Sequence, residues 1–417
     1  MNKRIQANLQ KADLSVFFFC MYDYLNMKKI VIAIDSFKGC LSSKDLADAI
    51  EKGVRKVWPE CRICKIPMAD GGEGTVEALT QALGGEKVTC QVDGPLRAPV
   101  QAVYGWIPQQ KMAVIEMASA SGLPLIPWKE GNVMHTTSYG TGQLIADALQ
   151  RGCKHILLGI GGSATNDAGV GMLQALGFRF LNKEGEEIGD GGSSLSQITQ
   201  VDSSQILPQL KTCIIEVATD VKNPFYGENG AACIFAPQKG ANQKQVQQLD
   251  QGLRSFAQLI QDEMGLDIQS VAGAGAAGGL GGGCVAFLNA RLISGIDQVK
   301  ACVNFDSIIQ DADLIITGEG KVDQQTSQGK VVDGIVKSAR SYQIPVIVLT
   351  GNCMEENEDI ENDSLVACFS IHPAPVSLKE ALEPSYTARQ IGRVAQMACK
   401  LFQNGCRMKE FISQKAI

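Results

Sequence analysis

The chain has 417 residues, 45% of them hydrophobic, enough for about two or three domains with full cores. A net charge of −6 without any long basic run argues against nucleic acid as a partner. The 14 cysteines are scattered, no secretory signal is evident, and Cys61/Cys64 has no second pair at zinc spacing, so reduced thiols and a cytoplasmic setting are expected.

Residues 1–26 lack hydrophobic periodicity and read as an upstream extension with no part in the fold. Their apolar patch, Val16 to Met21, is too short to span a membrane, and no membrane partner is expected. From Met27 onward strands and helices alternate. Lys29 to Ile34 is a strand, followed by Asp35-Ser-Phe-Lys-Gly39 and a helix capped by Ser42. Arg62 to Pro67 is a second strand, and Asp70-Gly-Gly-Glu-Gly-Thr75 leads into a helix over Val76 to Leu83. Glu86 to Val92 and Val100 to Trp106 alternate like an antiparallel pair, and Met112 to Met117 is a further strand. A helix follows Tyr139-Gly-Thr-Gly142.

His155 to Leu158 is an apolar strand that breaks into Gly159-Ile-Gly-Gly-Ser-Ala-Thr-Asn-Asp167 and then a helix ending at Gly177. Such a strand–glycine–helix turn aims backbone N–H groups at an anion, and Asp167 beside it suits an intervening cation. The same stretch also reads as a structural turn with Asp167 as a helix cap, and the residues alone do not choose. Phe178 to Ile188 reads as a hairpin turning at Lys183-Glu-Gly185, Cys213 to Ala218 as a strand, and Gln243 to Met264 as a long helix. Ala312 to Ile316 leads to Thr317-Gly-Glu-Gly-Lys-Val-Asp323, Val346 to Leu349 to Thr350-Gly-Asn352, and Thr387 to Phe402 is a closing helix.

This pattern predicts an α/β fold: a doubly wound, largely parallel, flavodoxin- or Rossmann-like domain from 27–95 plus 291–403. A mixed α/β domain, 96–290, would be inserted in it, with the active-site cleft between the two and a tail over 404–417. Five strands end in acid-bearing polar-glycine segments: Asp35, Asp70 with Glu73, Asp167, Asp220, and Glu319 with Asp323. Ligands of open α/β sheets bind beyond the carboxyl ends of strands, so these acids point to a site that holds divalent cations or pairs with Lys38, Lys222 and Lys321.

No G-x-x-x-x-G-K-[ST] loop is present. Gly273-Ala-Gly-Ala-Ala-Gly278 satisfies G-x-G-x-x-G without a clear preceding strand, and reads equally as a flexible hinge or lid. His135, His155 and His372 adjoin no Ser or Cys nucleophile, which disfavours a hydrolase triad.

Taken in order, the segments at 35–39, 70–75, Thr137-Ser-Tyr-Gly-Thr-Gly142, 159–167, Pro237-Gln-Lys-Gly-Ala241, 273–281 and Thr317-Gly-Glu-Gly320 closely resemble the bacterial glycerate kinase family, from Met27 to about Phe402. The resemblance implies ATP-dependent, Mg²⁺-assisted phosphorylation of D-glycerate, with 2-phosphoglycerate favoured over 3-phosphoglycerate. It departs from the family at His135 and at Ala168, where glycine is usual; alanine is expected to be harmless there if the residue is helical.

Phosphoryl transfer mainly needs positioning and charge neutralisation. The phosphates are expected on Gly161, Gly162, Ser163, Ala164 and Thr165, and Mg²⁺ on Asp167 and Asp220. The substrate's carboxylate is expected near Ser36, Lys38 and Asp35, with Arg97 as a further cation. Asp70 or Glu319 would take the hydroxyl proton, with Lys38 also at the reacting centre. A monomer or homodimer is expected. The alternatives are a non-catalytic hydroxy-acid or nucleotide sensor and an NAD-dependent oxidoreductase.

Overall fold

A computed structural model describes residues 27–126, 133–322, 331–353, 363 and 365–415. The expectations for residues 1–26 and for Asp323 lie outside the described residues. From the amino end the strands are β1 (Lys29–Ile34), β2 (Arg62–Pro67), β3 (Glu86–Asp93), β4 (Pro99–Ile107), β5 (Met112–Glu116) and β6 (His155–Gly159). They continue with β7 (Arg179–Leu181), β8 (Gln200–Asp202), β9 (Ile214–Ala218), β10 (Arg291–Ile293), β11 (Leu314–Val322), β12 (Val346–Cys353) and β13 (Val366–Ser370). The chain divides into two compact units, one running up to Met68 and resuming at Asn304, the other Ala69–Val303. The boundaries expected at 95/96 and 290/291 both fall inside the second unit.

In the first unit the order β13-β12-β11-β1-β2 forms a sheet whose pairs are all parallel. Every residue of β1 is buried, as its unbroken apolar run requires of a parallel strand covered on both faces. Helix Ser43–Arg55 starts where the Ser42 hydroxyl accepts the Asp45 N–H. It packs on the closing helix, Pro384–Lys415, so tightly that a Cβ on Gly53 would lie 2.2 Å from Gly392 O. That helix begins before and runs beyond the expected Thr387 to Phe402. β11 also outruns its expectation: Thr317 to Val322 continue the strand, paired with β12 as far as Cys353. Glu319 therefore sits within a strand, because a parallel partner is present to receive the glycine-rich segment.

The second unit holds the mixed sheet β10-β9-β6-β5-β4-β3, antiparallel across β3-β4-β5 and parallel from β5 to β10. The α/β fold with one parallel and one mixed sheet matches the sequence expectation. Helix Gln243–Met264 opens with a capping box between Asn242 and Gln245. It sends Phe256 into a ring cluster, 5.9 Å from both Phe180 and Phe287. The expected hairpin over 178–188 forms in part, with Ile188 N–H donating to Phe180 O at 2.9 Å. The turn forms, with Gly185 at φ 78° and a lone Leu181–Glu187 bridge, but the ladder partner of β7 is β8. No helix among the described residues is long and apolar enough to cross a membrane.

Candidate active site

The second unit gathers three of the acid-bearing loops, two of them at the carboxyl ends of adjacent strands. β6 and β9 lie side by side in parallel register, so the segments leading to Asp167 and Asp220 leave the same edge. The Asp70 loop closes onto that edge. A Cβ on Gly159 would lie 2.2 Å from Gly71 O, one on Gly71 would lie 2.6 Å from Ala218 Cβ, and one on Gly161 would touch Gly72 Cα at 3.4 Å. Gly295 joins the loops: the Asp220 carboxylate accepts its N–H at 3.3 Å, and a Cβ there would strike Asp70 O at 1.8 Å. The glycines are thus a packing requirement, since any side chain would pry the loops apart.

Beyond β6, Gly161 and Gly162 are exposed and Ser163 through Asp167 are buried. Among the described residues the amides of Gly161, Gly162 and Ser163 make no hydrogen bond. Three open donors in a row at a strand end are the kind of arrangement that can receive an anion. Ala164, expected to share in it, differs: its N–H donates to Ser121 O at 2.9 Å, and its carbonyl accepts the Thr136 hydroxyl at 2.8 Å. The Thr165 hydroxyl and both side-chain polar atoms of Asn166 are buried without a partner among the described residues.

Asp167 ties the loop to its surroundings. One oxygen accepts the Ser138 amide and hydroxyl, each at 2.8 Å, and the Gly171 N–H at 3.3 Å; the other accepts the Gly169 N–H at 3.2 Å. Burial raises its pKa, and the Ser138 bonds oppose that shift. The N-cap of the following helix, Val170–Ala175, is Gly169 rather than Asp167, while Asp167 bonds the Gly169 and Gly171 amides around it. The helix Tyr139–Gln150 begins at Tyr139 itself, because Gly140 and Gly142 let it approach Asp93 O and Met172 O, at 1.9 and 2.2 Å from an added Cβ.

A model of the glycerate kinase family matches residues 30–403. The chain belongs to that family. It is 48% identical to a glycerate kinase of Halalkalibacterium halodurans over 86% of this chain and 94% of that protein. It is 45% identical to the glycerate 2-kinase of Escherichia coli K12, again over 86% and 94%. A solved structure described as glycerate kinase 2, from Salmonella typhimurium LT2, superposes with a TM-score of 0.83 at 42% identity, covering 92% of this chain and all of that one. The family resemblance drawn from the motifs, and the reading as a kinase, are borne out.

Against this glycerate kinase framework the other expected residues fall as follows. In the first unit Asp35 is buried and accepts the Ser36 N–H at 2.7 Å, and its own N–H donates to Gly318 O at 3.1 Å. This sets Asp35, Ser36 and the exposed Lys38 beside the Glu319 segment of β11. In the second unit Arg97 forks onto Asp190 at 2.8 and 2.7 Å, reaches Asp93 at 2.9 Å and lies 3.8 Å over the Tyr139 ring. The Asp190 bonds foremost hold its pKa above the usual value.

The 273–281 segment is not a lid. A Cβ on Gly278 would fall 2.2 Å from Thr165 O, and one on Gly275 2.1 Å from Pro224 O, so this segment is packed between the 159–167 loop and the Asn223–Pro224 turn. Two residues escaped the sequence reading. Glu116, at the end of β5, accepts the Val76 N–H at 2.8 Å and anchors the Asp70–Thr75 segment to the sheet. Burial raises its pKa. It is one more acid at a strand end, but no glycine flags it. Lys239 lies under the loop, and only its place in the Pro237–Ala241 motif hinted at it.

Ala168 also departs from expectation. Its φ is 54°, left-handed rather than helical, and an L-residue there costs about 1–2 kcal/mol. Glycine gives back part of that through unfolded-chain entropy. Ala168→Gly is expected to raise Tm by about 2 °C in thermal unfolding; a fall would show that the methyl's packing outweighs the strain.

Proposed function

We propose that the chain transfers the γ-phosphoryl group of ATP to D-glycerate with Mg²⁺, 2-phosphoglycerate being favoured over 3-phosphoglycerate. The carrying observation is the row of open amides at Gly161, Gly162 and Ser163 beside the Asp70 and Asp220 loops. The name of the Escherichia coli relative, glycerate 2-kinase, supports the choice of hydroxyl.

The amides would receive phosphate oxygens. No group of three or more His, Cys, Asp or Glu side chains gathers as a metal cage among the described residues. Mg²⁺ commonly takes one or two carboxylates, with phosphate oxygens and water, so Asp220 at this edge suits it. Bound there, it would neutralise phosphate charge. Asp167 would join it only by releasing some of its donors, and its main part is to shape the loop. Lys38, with Ser36 and Asp35, would hold the glycerate carboxylate; Arg97, committed to Asp93 and Asp190, stays outside that shell.

In the reaction the glycerate hydroxyl oxygen bonds to the γ-phosphorus as the bond to the bridging oxygen breaks and ADP leaves. The hydroxyl proton passes late to a carboxylate. Asp70 is favoured over Glu319, because its loop touches Gly161. Free thiols accord with a cytoplasmic setting, and the active form would be a monomer or homodimer.

Incubation with ATP, Mg²⁺ and a panel of hydroxy acids tests this. ADP release dependent on D-glycerate is expected, and phosphorus NMR then locates the new ester. Tight binding without turnover would favour the sensor instead. Lys38→Met is expected to raise KM for glycerate about tenfold or more, with KM for ATP nearly constant. Equal effects on both would remove Lys38 from the carboxylate.

A further inference from the structure

One titratable side chain beneath the loop has no part in the roles above. Pro237–Lys239 is a single tight turn closed by Gly240 at φ 92°, and it drives Lys239 inward until 4% of the residue remains exposed. Its Nζ donates to the Ser163 hydroxyl at 2.7 Å and to the Thr165 carbonyl at 2.6 Å. These acceptors flank Ala164, which is held from the other side by Ser121 and Thr136. The amine therefore completes the clamp on the segment next to the open amides.

We infer that Lys239 is a positioning residue for the nucleotide: it pins Ser163 and Thr165 so that the Gly161–Ser163 amides stay open, and it places buried positive charge behind the triphosphate. The identity of the anion rests on the kinase reading; the clamp itself does not.

Two acceptors match the two N–H groups of a neutral amine, whereas the ammonium has a third. Burial pushes the Lys239 pKa down to about 7, and the field of Asp167, the charged group acting on it, opposes this. Near neutral pH the clamp therefore persists while the charge comes and goes. An anion on the loop would favour the charged form, so nucleotide binding and proton uptake are linked.

Isothermal titration of Mg-ATP into the full chain at pH 7.5, in buffers of different ionisation enthalpy, reads this link. Wild type is expected to take up a substantial fraction of a proton. Lys239→Met is expected to take up none and to bind about tenfold more weakly, with KM for glycerate little changed. Equal proton uptake and equal affinity would overturn the inference. If Lys239→Met does not fold, the wild-type pH series decides: ATP affinity should fall about threefold or more from pH 6.5 to 8.5, and a flat profile overturns the charge. If wild type binds no ATP, the kinase reading fails by itself. The clamp is then read in the ligand-free protein, where Lys239→Met should speed hydrogen exchange of the 159–167 segment, and unchanged exchange would overturn it.

Discussion

Asp167→Ala is expected to be the most damaging single substitution at this site. The carboxylate accepts four donors in the interior, two from Ser138 and one each from Gly169 and Gly171. Leaving a buried donor unmade costs about 1–3 kcal/mol, and relaxation will recover some of the set, so a net loss of about 4 kcal/mol is expected. For a unit of this size that lowers Tm by about 10 °C in thermal unfolding. The pH dependence has a definite sign. Burial raises the folded pKa, so the residue's contribution is fully present below the ordinary carboxylate value of about 4 and diminishes as pH rises through the raised value. The gap between wild type and Asp167→Ala should therefore narrow from acid toward neutral pH. A Tm within 2 °C of wild type, about half a kcal/mol, would mean that these bonds do not hold the loop.

The second large effect is expected at Asp70. Its carboxylate accepts the Gly72 N–H at 2.9 Å, which Asn can replace through its carbonyl oxygen, so the loop should keep its shape. What Asn cannot do is accept a proton. Asp70→Asn is expected to lower kcat by about 10²–10⁴ with little change in KM for ATP, measured in steady-state ADP release. A kcat within about threefold of wild type would transfer the proton-accepting role away from Asp70, to Glu319 first.

Much of the fold was legible because local pattern and tertiary context agree. β1 is an apolar run buried on both faces, β3 and β4 alternate as an antiparallel pair should, and Gly177 at φ 98° closes its helix as its position suggested. Legibility stopped where a distant partner decides. Glu319 belongs to a strand because β12 runs on beside it to Cys353. β7 takes its ladder partner in β8, further along the chain, and keeps only a bridge to Glu187 in its own turn. Ala168 takes a left-handed conformation that its helical-looking neighbours concealed.

The site divides in the same way. Asp70, Asp167 and Asp220 were legible as acids at strand ends, and the structure brings their loops to one edge of the mixed sheet. Their differing parts were not legible, since four donors on Asp167 and an engaged amide at Ala164 arise from residues far along the chain. Arg97 looked like a free cation, yet Asp190 lies 93 positions away in sequence and claims it. Lys239 needed the approach of a turn 76 residues from Ser163.

Gly161, Gly162 and Ser163 are proposed to cradle the nucleotide's phosphates. Hydrogen exchange of the 159–167 segment, measured with and without saturating Mg-ATP, tests it directly. Marked slowing is expected at those three amides, with Ala164, already bonded to Ser121, little altered. Binding of Mg-ATP with no slowing at Gly161, Gly162 or Ser163 would contradict it.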